Sequence, residues 1–214
     1  MKLVDKTVRD FCRVLASEEA APGGSAAAAL QGVLGASLIG MTASLTVGRK
    51  RYTEYGALMK DIIKRSGDLQ QNMLDIIDHD KEAFMRVSKI YSMPKNNEEE
   101  TAIRNDAMQT ALKTCTLIPF ELMQCVYNTL ELAMVMVGKY NTNAISDLGV
   151  AVLCLKSAAE SAWLNVLTNL DGIRDEIFTA KYMIAGGELI QRVEDLADDI
   201  HEDILHGLYP EPTR

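Results

Sequence analysis

Apolar residues recur at steps of three and four along most of the chain, and no run of alternating apolar and polar residues is long enough for a strand. The pattern predicts helices throughout. Asp5 to about Ser17 reads as a short amphipathic helix, and Ala20-Ala21-Pro22-Gly23-Gly24 as the break after it. Ser25 to about Val47 has no charged residue and is rich in Ala, Gly, Ser and Thr, with Gly48 placed as its C-cap. A helical period runs from Tyr52 to Tyr91, with Gly56 and Gly67 as weak points and Pro94 as the stop. Asn96-Asn97 before Glu98-Glu99-Glu100 reads as a cap followed by first-turn carboxylates. The helix they open extends to about Val137, and Pro119 inside it predicts a kink or a split. After a loop from Gly138 to Asn143, Ala144 to Asn169 is again poor in charge, and Asp171-Gly172 breaks the chain. A last helix carries Leu189, Val193, Leu196, Ile200 and Ile204 on one stripe and ends at Gly207 and Pro210.

These elements predict an all-α fold, an up-and-down bundle of long helices spanning residues 1–214 as one domain. Two of the helices read as buried on all sides, which is more than a monomer of this size covers. A homodimer is therefore expected.

One position breaks the pattern. The stripe Leu69, Met73, Ile76, Phe84, Val87 skips a station at 80, four residues after Ile76 and four before Phe84, and the residue there is Asp80. On a helix it projects from the buried face. An ionised carboxylate in such a place is costly unless paired or put to use, and burial raises its pKa toward a range suited to proton transfer. Asp80 is thus the leading catalytic candidate, with an ion-paired core residue as the alternative. Asp78 and His79 lie off the stripe, and His79 reads as an exposed helical residue.

Composition narrows the chemistry. A net charge of −8 and a pI near 5 argue against nucleic acid as the main partner. The acidic run from Glu194 to Asp203 reads as a solvated helix face. Cys12, Cys115, Cys125 and Cys154 form no CxxC pair, and His79, His201 and His206 have no metal-ligand spacing. No metal is expected, and the cysteines read as small buried residues in a reducing cytosol. The start of the chain is charged and does not read as a signal peptide, so a cytoplasmic protein is expected. Gly23 to Gly48 is long enough to span a bilayer, but its small residues and Gln31 fit a core helix better, and no membrane partner is expected.

Four further groups carry possible chemistry. Pro22-Gly23-Gly24-Ser25 opens a helix, where the glycines allow close backbone approach and the free N–H groups favour an anion or a polar carbonyl. In Asn143-Ala144-Ile145-Ser146-Asp147-Leu148-Gly149, Ser146 or Asp147 reads equally as a helix cap and as a ligand for the N–H groups of a heterocycle. Asn165 and Asn169, one turn apart, could line a pocket or bond between helices. Arg49-Lys50-Arg51 and Lys95 are solvated charges or a receiver for a ligand carboxylate.

Taken in order, a set of segments resembles a known family. They are Pro22-Gly23-Gly24-Ser25-Ala26-Ala27, Thr46-Val47-Gly48-Arg49-Lys50, Asp80 with Ala83-Phe84, and Met93-Pro94-Lys95-Asn96. Asn143-Ala144-Ile145-Ser146-Asp147-Leu148-Gly149-Val150-Ala151 and Asn165-Val166-Leu167-Thr168-Asn169-Leu170 follow. The set resembles the cyclodeaminase/cyclohydrolase family of folate enzymes, from about Thr7 to about Ile177. The resemblance implies an all-α homodimer that acts on a tetrahydrofolate derivative with no cofactor beyond that substrate. It implies Asp80 as proton acceptor. Gly23, Gly24 and Ser25 would lie against the folate, Asn143, Ser146, Asp147 and Gly149 would border its pterin end, and Lys50 or Lys95 would meet its glutamate tail. One departure stands out: the family's turn usually reads Pro-Gly-Gly-Gly-Ser, and this chain is one glycine short.

Two reactions follow from the resemblance. The expected one is cyclodeamination, in which 5-formiminotetrahydrofolate closes to 5,10-methenyltetrahydrofolate and ammonia leaves. The alternative is cyclohydrolysis of the methenyl bridge to 10-formyltetrahydrofolate. A non-enzymatic helical dimer, with Asp80 in an interhelical ion pair, is the reading from another class.

Overall fold

Local chemistry sets the ends of six helices in the computed structural model, which describes residues 2–209. Helix α1, Val8–Leu15, is opened by the Thr7 hydroxyl, which accepts the Asp10 N–H, and is shorter at both ends than the periodicity suggests. Helix α2 is Gly24–Thr46; the chain leaves it through Gly48 at φ +77°, a left-handed turn that favours glycine. The segment from Tyr52 is not yet α-helix. A 3-10 turn covers Lys50–Tyr55, and α3 runs Gly56–Tyr91 without a break at Gly67.

Helix α4, Glu98–Met136, begins with a reciprocal cap. The Asn97 side chain accepts the Glu100 N–H, and the Glu100 carboxylate accepts the Asn96 N–H, each at 2.8 Å. Of the two outcomes predicted at Pro119, the split does not occur: α4 continues through it. Proline has no N–H, so the carbonyl four residues earlier, that of Cys115, loses its helical donor. The Asn169 side chain fills the gap, its Nδ2 donating to that carbonyl at 2.8 Å.

Neither Ser146 nor Asp147 caps helix α5, Ile145–Asp171. A 3-10 turn at Thr142–Ala144 leads into it, and Asn141 takes the capping role one turn earlier by accepting the Asn143 N–H. Helix α6, Glu176–Leu208, is capped by Asp175. Gly207 lies inside α6, and Pro210 lies outside the described residues. No strand occurs among the described residues.

Successive helices run up and down. Helix α2 packs on α3 and α5; α4 sits against α3, α5 and α6; α5 and α6 close the bundle. Helices α2 and α5 are antiparallel: Gly24 neighbours Asn165 at one end, and the Thr46 hydroxyl accepts the Asn141 N–H at the other. Their small residues are there for contact. A Cβ on Gly35 would stand 2.6 Å from Leu155 Cγ and 3.0 Å from the Ala151 carbonyl oxygen.

One chain by itself does not cover these two helices on all sides. Leu34, Met41 and Leu45 of α2, and Val150, Leu153 and Leu164 of α5, are exposed. By length and composition both helices could cross a membrane, yet their inner faces belong to the bundle core. The cysteines are free, but Cys12 is exposed, Cys115 and Cys154 are half-buried, and Cys125 alone is buried as expected of all four.

Candidate active site

Asp80 stands level with the N-terminus of α2, between that helix and α4. Burial pushes its carboxyl above the usual carboxylate range, and the nearby Ser25 hydroxyl pulls the other way. Ser25 is only 7% exposed, and its oxygen finds no hydrogen-bond partner of ordinary geometry. The Ser25 hydroxyl is therefore near enough to Asp80 to act on its carboxyl, short of a hydrogen bond of ordinary geometry. Gly23 caps α2 in an extended conformation with no side-chain contribution, so no side-chain cap covers the N–H groups of the first turn. These groups and the Ser25 hydroxyl present donors beside a carboxyl held partly dry.

Helices α4 and α5 complete this end. The Cys115 thiol is pushed up to about 11, by burial and then by the Asp80 charge, and stays protonated. The Asn165 side chain lies over Gly24, where an added Cβ would be 3.9 Å from both its terminal atoms. Its Nδ2 donates to the Ser161 carbonyl at 2.8 Å, which leaves Oδ1 free to accept. The turn from α5 to α6 is latched to α4: Gln109 donates to the Gly172 carbonyl and accepts the Arg174 N–H, and Lys113 meets Asp175 at 2.6 Å.

One stripe assignment changes, and one position off the stripe is buried as well. Asp78 is buried although it points away from Asp80; its Oδ1 accepts the Leu3 N–H at 2.6 Å, so the N-terminal segment covers a second face of α3. Phe84, counted as core, is 45% exposed because α3 has by then passed the end of α2. His79 is exposed as expected. Among the described residues no group of three His, Cys, Asp or Glu side chains is placed to hold a metal ion.

The remaining candidates do not gather around Asp80 in one chain. Gly23, Gly24 and Ser25 do, but Lys50, Asn143, Ser146 and Asp147 sit at the far end of α2, about 33 Å away at 1.5 Å per residue. Gly149, near that end, is a packing glycine whose added Cβ would meet Ile204 at 3.4 Å. Lys95 is in the turn between α3 and α4, beyond Asp80. The far end has its own cavity of about 490 Å³, lined by Arg51, Tyr52, Tyr140, Thr142 and Asp203 among others. There the Tyr52 hydroxyl meets Thr142 through side chain and backbone, which lowers its pKa.

An up-and-down helical bundle that sets a carboxyl raised by burial beside a helix N-terminus without a side-chain cap defines a class of site, one that can take up and return a proton next to a polar ligand. Residues 7–184 match the family model described as formiminotransferase-cyclodeaminase, and the chain belongs to that family. It is 36% identical over 200 residues to the methenyltetrahydrofolate cyclohydrolase of Methylorubrum extorquens, covering 94% of this chain and 96% of that one. It is 29% identical over 195 residues to the formimidoyltransferase-cyclodeaminase of Mus musculus, where 91% of this chain matches 36% of a longer protein. The crystal structure of formiminotetrahydrofolate cyclodeaminase from Thermotoga maritima shares the fold with a TM-score of 0.80, at 24% identity and over 97% of this chain and 98% of that one.

Proposed function

We propose that the protein is a folate one-carbon enzyme acting at the N5–N10 bridge, with Asp80 as its acid and base. The observation that carries this reading is the Asp80 carboxyl, raised by burial, beside an unpartnered Ser25 hydroxyl at the open N-terminus of α2. In cyclodeamination, N10 attacks the formimino carbon and gives its proton to Asp80; the tetrahedral carbon then collapses as the formimino nitrogen takes a proton and leaves as ammonia. A carboxyl with a raised pKa suits both transfers. The first-turn N–H groups of α2, with Gly23, Gly24 and Ser25, would hold a polar group of the substrate.

A second reading has its own support. The Methylorubrum extorquens relative, named a cyclohydrolase, matches this chain over nearly the whole of both. In that reaction water adds to the methenyl carbon and gives a proton to Asp80, and the carbon–N5 bond then breaks as N5 takes a proton back, leaving 10-formyltetrahydrofolate.

The working unit is a homodimer joined through the exposed faces of α2 and α5. Those faces carry Leu34, Met41, Leu45, Val150, Leu153 and Leu164, and α2 has no charged residue to oppose contact. An antiparallel pairing lays the Lys50 and Asp147 end of one subunit near the Ser25 and Asp80 end of its partner. That arrangement gathers candidates that one chain holds about 33 Å apart. Purified protein, given 5-formimino- and 5,10-methenyltetrahydrofolate in parallel and followed by methenyl absorbance, should turn over at least one. Turnover of neither would refute the enzyme reading. Light scattering should give a dimer mass, and Leu34→Glu with Leu153→Glu should halve it; a monomeric parent protein would overturn the dimer.

A further inference from the structure

We propose that Asn169 is a positioning residue for Asp80: its side-chain amide replaces the backbone donor that Pro119 removes from α4 and so holds the Cys115 turn against the carboxyl. The inference rests on Asp80 being the acid and base of the reaction proposed above. Three observations carry it. Helix α4 runs through Pro119 unbroken, although proline leaves the Cys115 carbonyl without its i+4 donor. The replacement donor comes from another helix, Asn169 Nδ2 at 2.8 Å and 54 residues away in sequence. The turn it secures lies against the Asp80 stretch of α3: Thr114 and Ile118 line one cavity with His79 and Ala83, and the Asp80 charge reaches the Cys115 thiol between them.

Asn165, one turn earlier on α5, bonds its own helix at Ser161. Asn169 alone of the pair reaches across to α4. Around Asp80, α2 presents the Ser25 hydroxyl, α4 the Cys115 thiol, and residues 165–169 of α5 carry no charge. Helix α3 itself carries His79, exposed, with Lys81 and Glu82 beside it. The dryness of the carboxyl therefore depends on how closely α4 is held. Without the Asn169 bond the Pro119 turn can draw back, water reaches Asp80, and its pKa falls toward the ordinary value.

The test is a double-mutant cycle on the intact protein. Asn169→Ala should lower kcat by about ten- to a hundredfold and move the acid limb of the pH–rate profile to lower pH. Pro119→Ala returns an N–H to the helix, and in that background Asn169→Ala should cost little in kcat and leave the acid limb in place. Melting temperatures of all four proteins are recorded. A bond that only stabilises would lower the melting temperature and leave the pH profile unmoved. Losses that multiply with no rescue, or Asn169→Ala equal to the parent protein, would overturn the inference. If Asn169→Ala does not fold, the double variant decides: folded and active supports the inference, and any other result overturns it. An active Asp80→Asn protein would instead refute the underlying reading of Asp80, which keeps the two failures distinct.

Discussion

Gly186 and Gly187 are neighbours in α6, and the packing predicts opposite outcomes for the same substitution. A Cβ on Gly186 would stand 2.1, 2.8 and 2.9 Å from three ring atoms of Trp163, whereas a Cβ on Gly187 would have nothing within 4 Å. Carbon atoms in contact sit about 3.5–4 Å apart, so the Trp163 ring or α6 must move by roughly 1.5 Å to admit Gly186→Ala. The half-buried Trp163 indole, carried by α5, meets α6 with rigid ring atoms rather than a flexible tip, which puts the overpacking cost near the top of its usual range, about 3 kcal/mol. The gain in helix propensity offsets about 1 kcal/mol, leaving a net loss of about 2 kcal/mol. For a chain of this size that lowers Tm by about 4–8 °C. Gly187→Ala keeps the propensity gain alone and should raise Tm by about 2–4 °C. Thermal melts by circular dichroism measure both. Trp163 is the only tryptophan, so its emission reports the contact directly and should change in Gly186→Ala but not in Gly187→Ala. Shifts of the same sign in the two variants would refute the packing of α5 on α6 described above.

Two further outcomes follow from the site and its surroundings. Because burial raises the Asp80 pKa in the folded protein, the folded state binds this proton more tightly than the unfolded one. Its contribution to stability is therefore greatest below the unfolded value of about 3.9 and is lost as pH rises through the folded pKa. Asp80→Asn should accordingly be more stable than the parent protein above that window, read as a higher urea midpoint, with the advantage vanishing at the acid end. Asp78→Ala leaves the buried Leu3 N–H without its acceptor and should cost about 1–3 kcal/mol in urea unfolding, with kcat unchanged because Asp78 points away from Asp80.

Asp80 was legible in the sequence because a helix repeats, and a missing station in a repeat shows itself without any tertiary knowledge. The burial of Asp78 was not legible, because the same argument sees one stripe, while α3 touches two sets of neighbours and Leu3 arrives from 75 residues away. Pro119 promised a kink or a split; α4 continues through it, and the carbonyl it leaves without a donor is served by an amide on another helix. Ser146 and Asp147 have the right chemistry for a cap, but Asn141 and the 3-10 turn ahead of them take that role, a choice made by backbone geometry. The same limit governs the site as a whole. Motif order along the chain does not say that α2 and α5 are antiparallel, and it is this that puts Ser25 and Asp147 at opposite ends of the molecule.

The proposed function turns on Asp80 moving the proton at the N5–N10 bridge. It is tested most directly by the turnover of Asp80→Asn, confirmed folded by circular dichroism, on 5-formimino- and 5,10-methenyltetrahydrofolate. Turnover should fall by about 10²- to 10⁴-fold on whichever substrate the parent protein uses, with substrate affinity largely kept. Full turnover by the Asn variant on that substrate would contradict it.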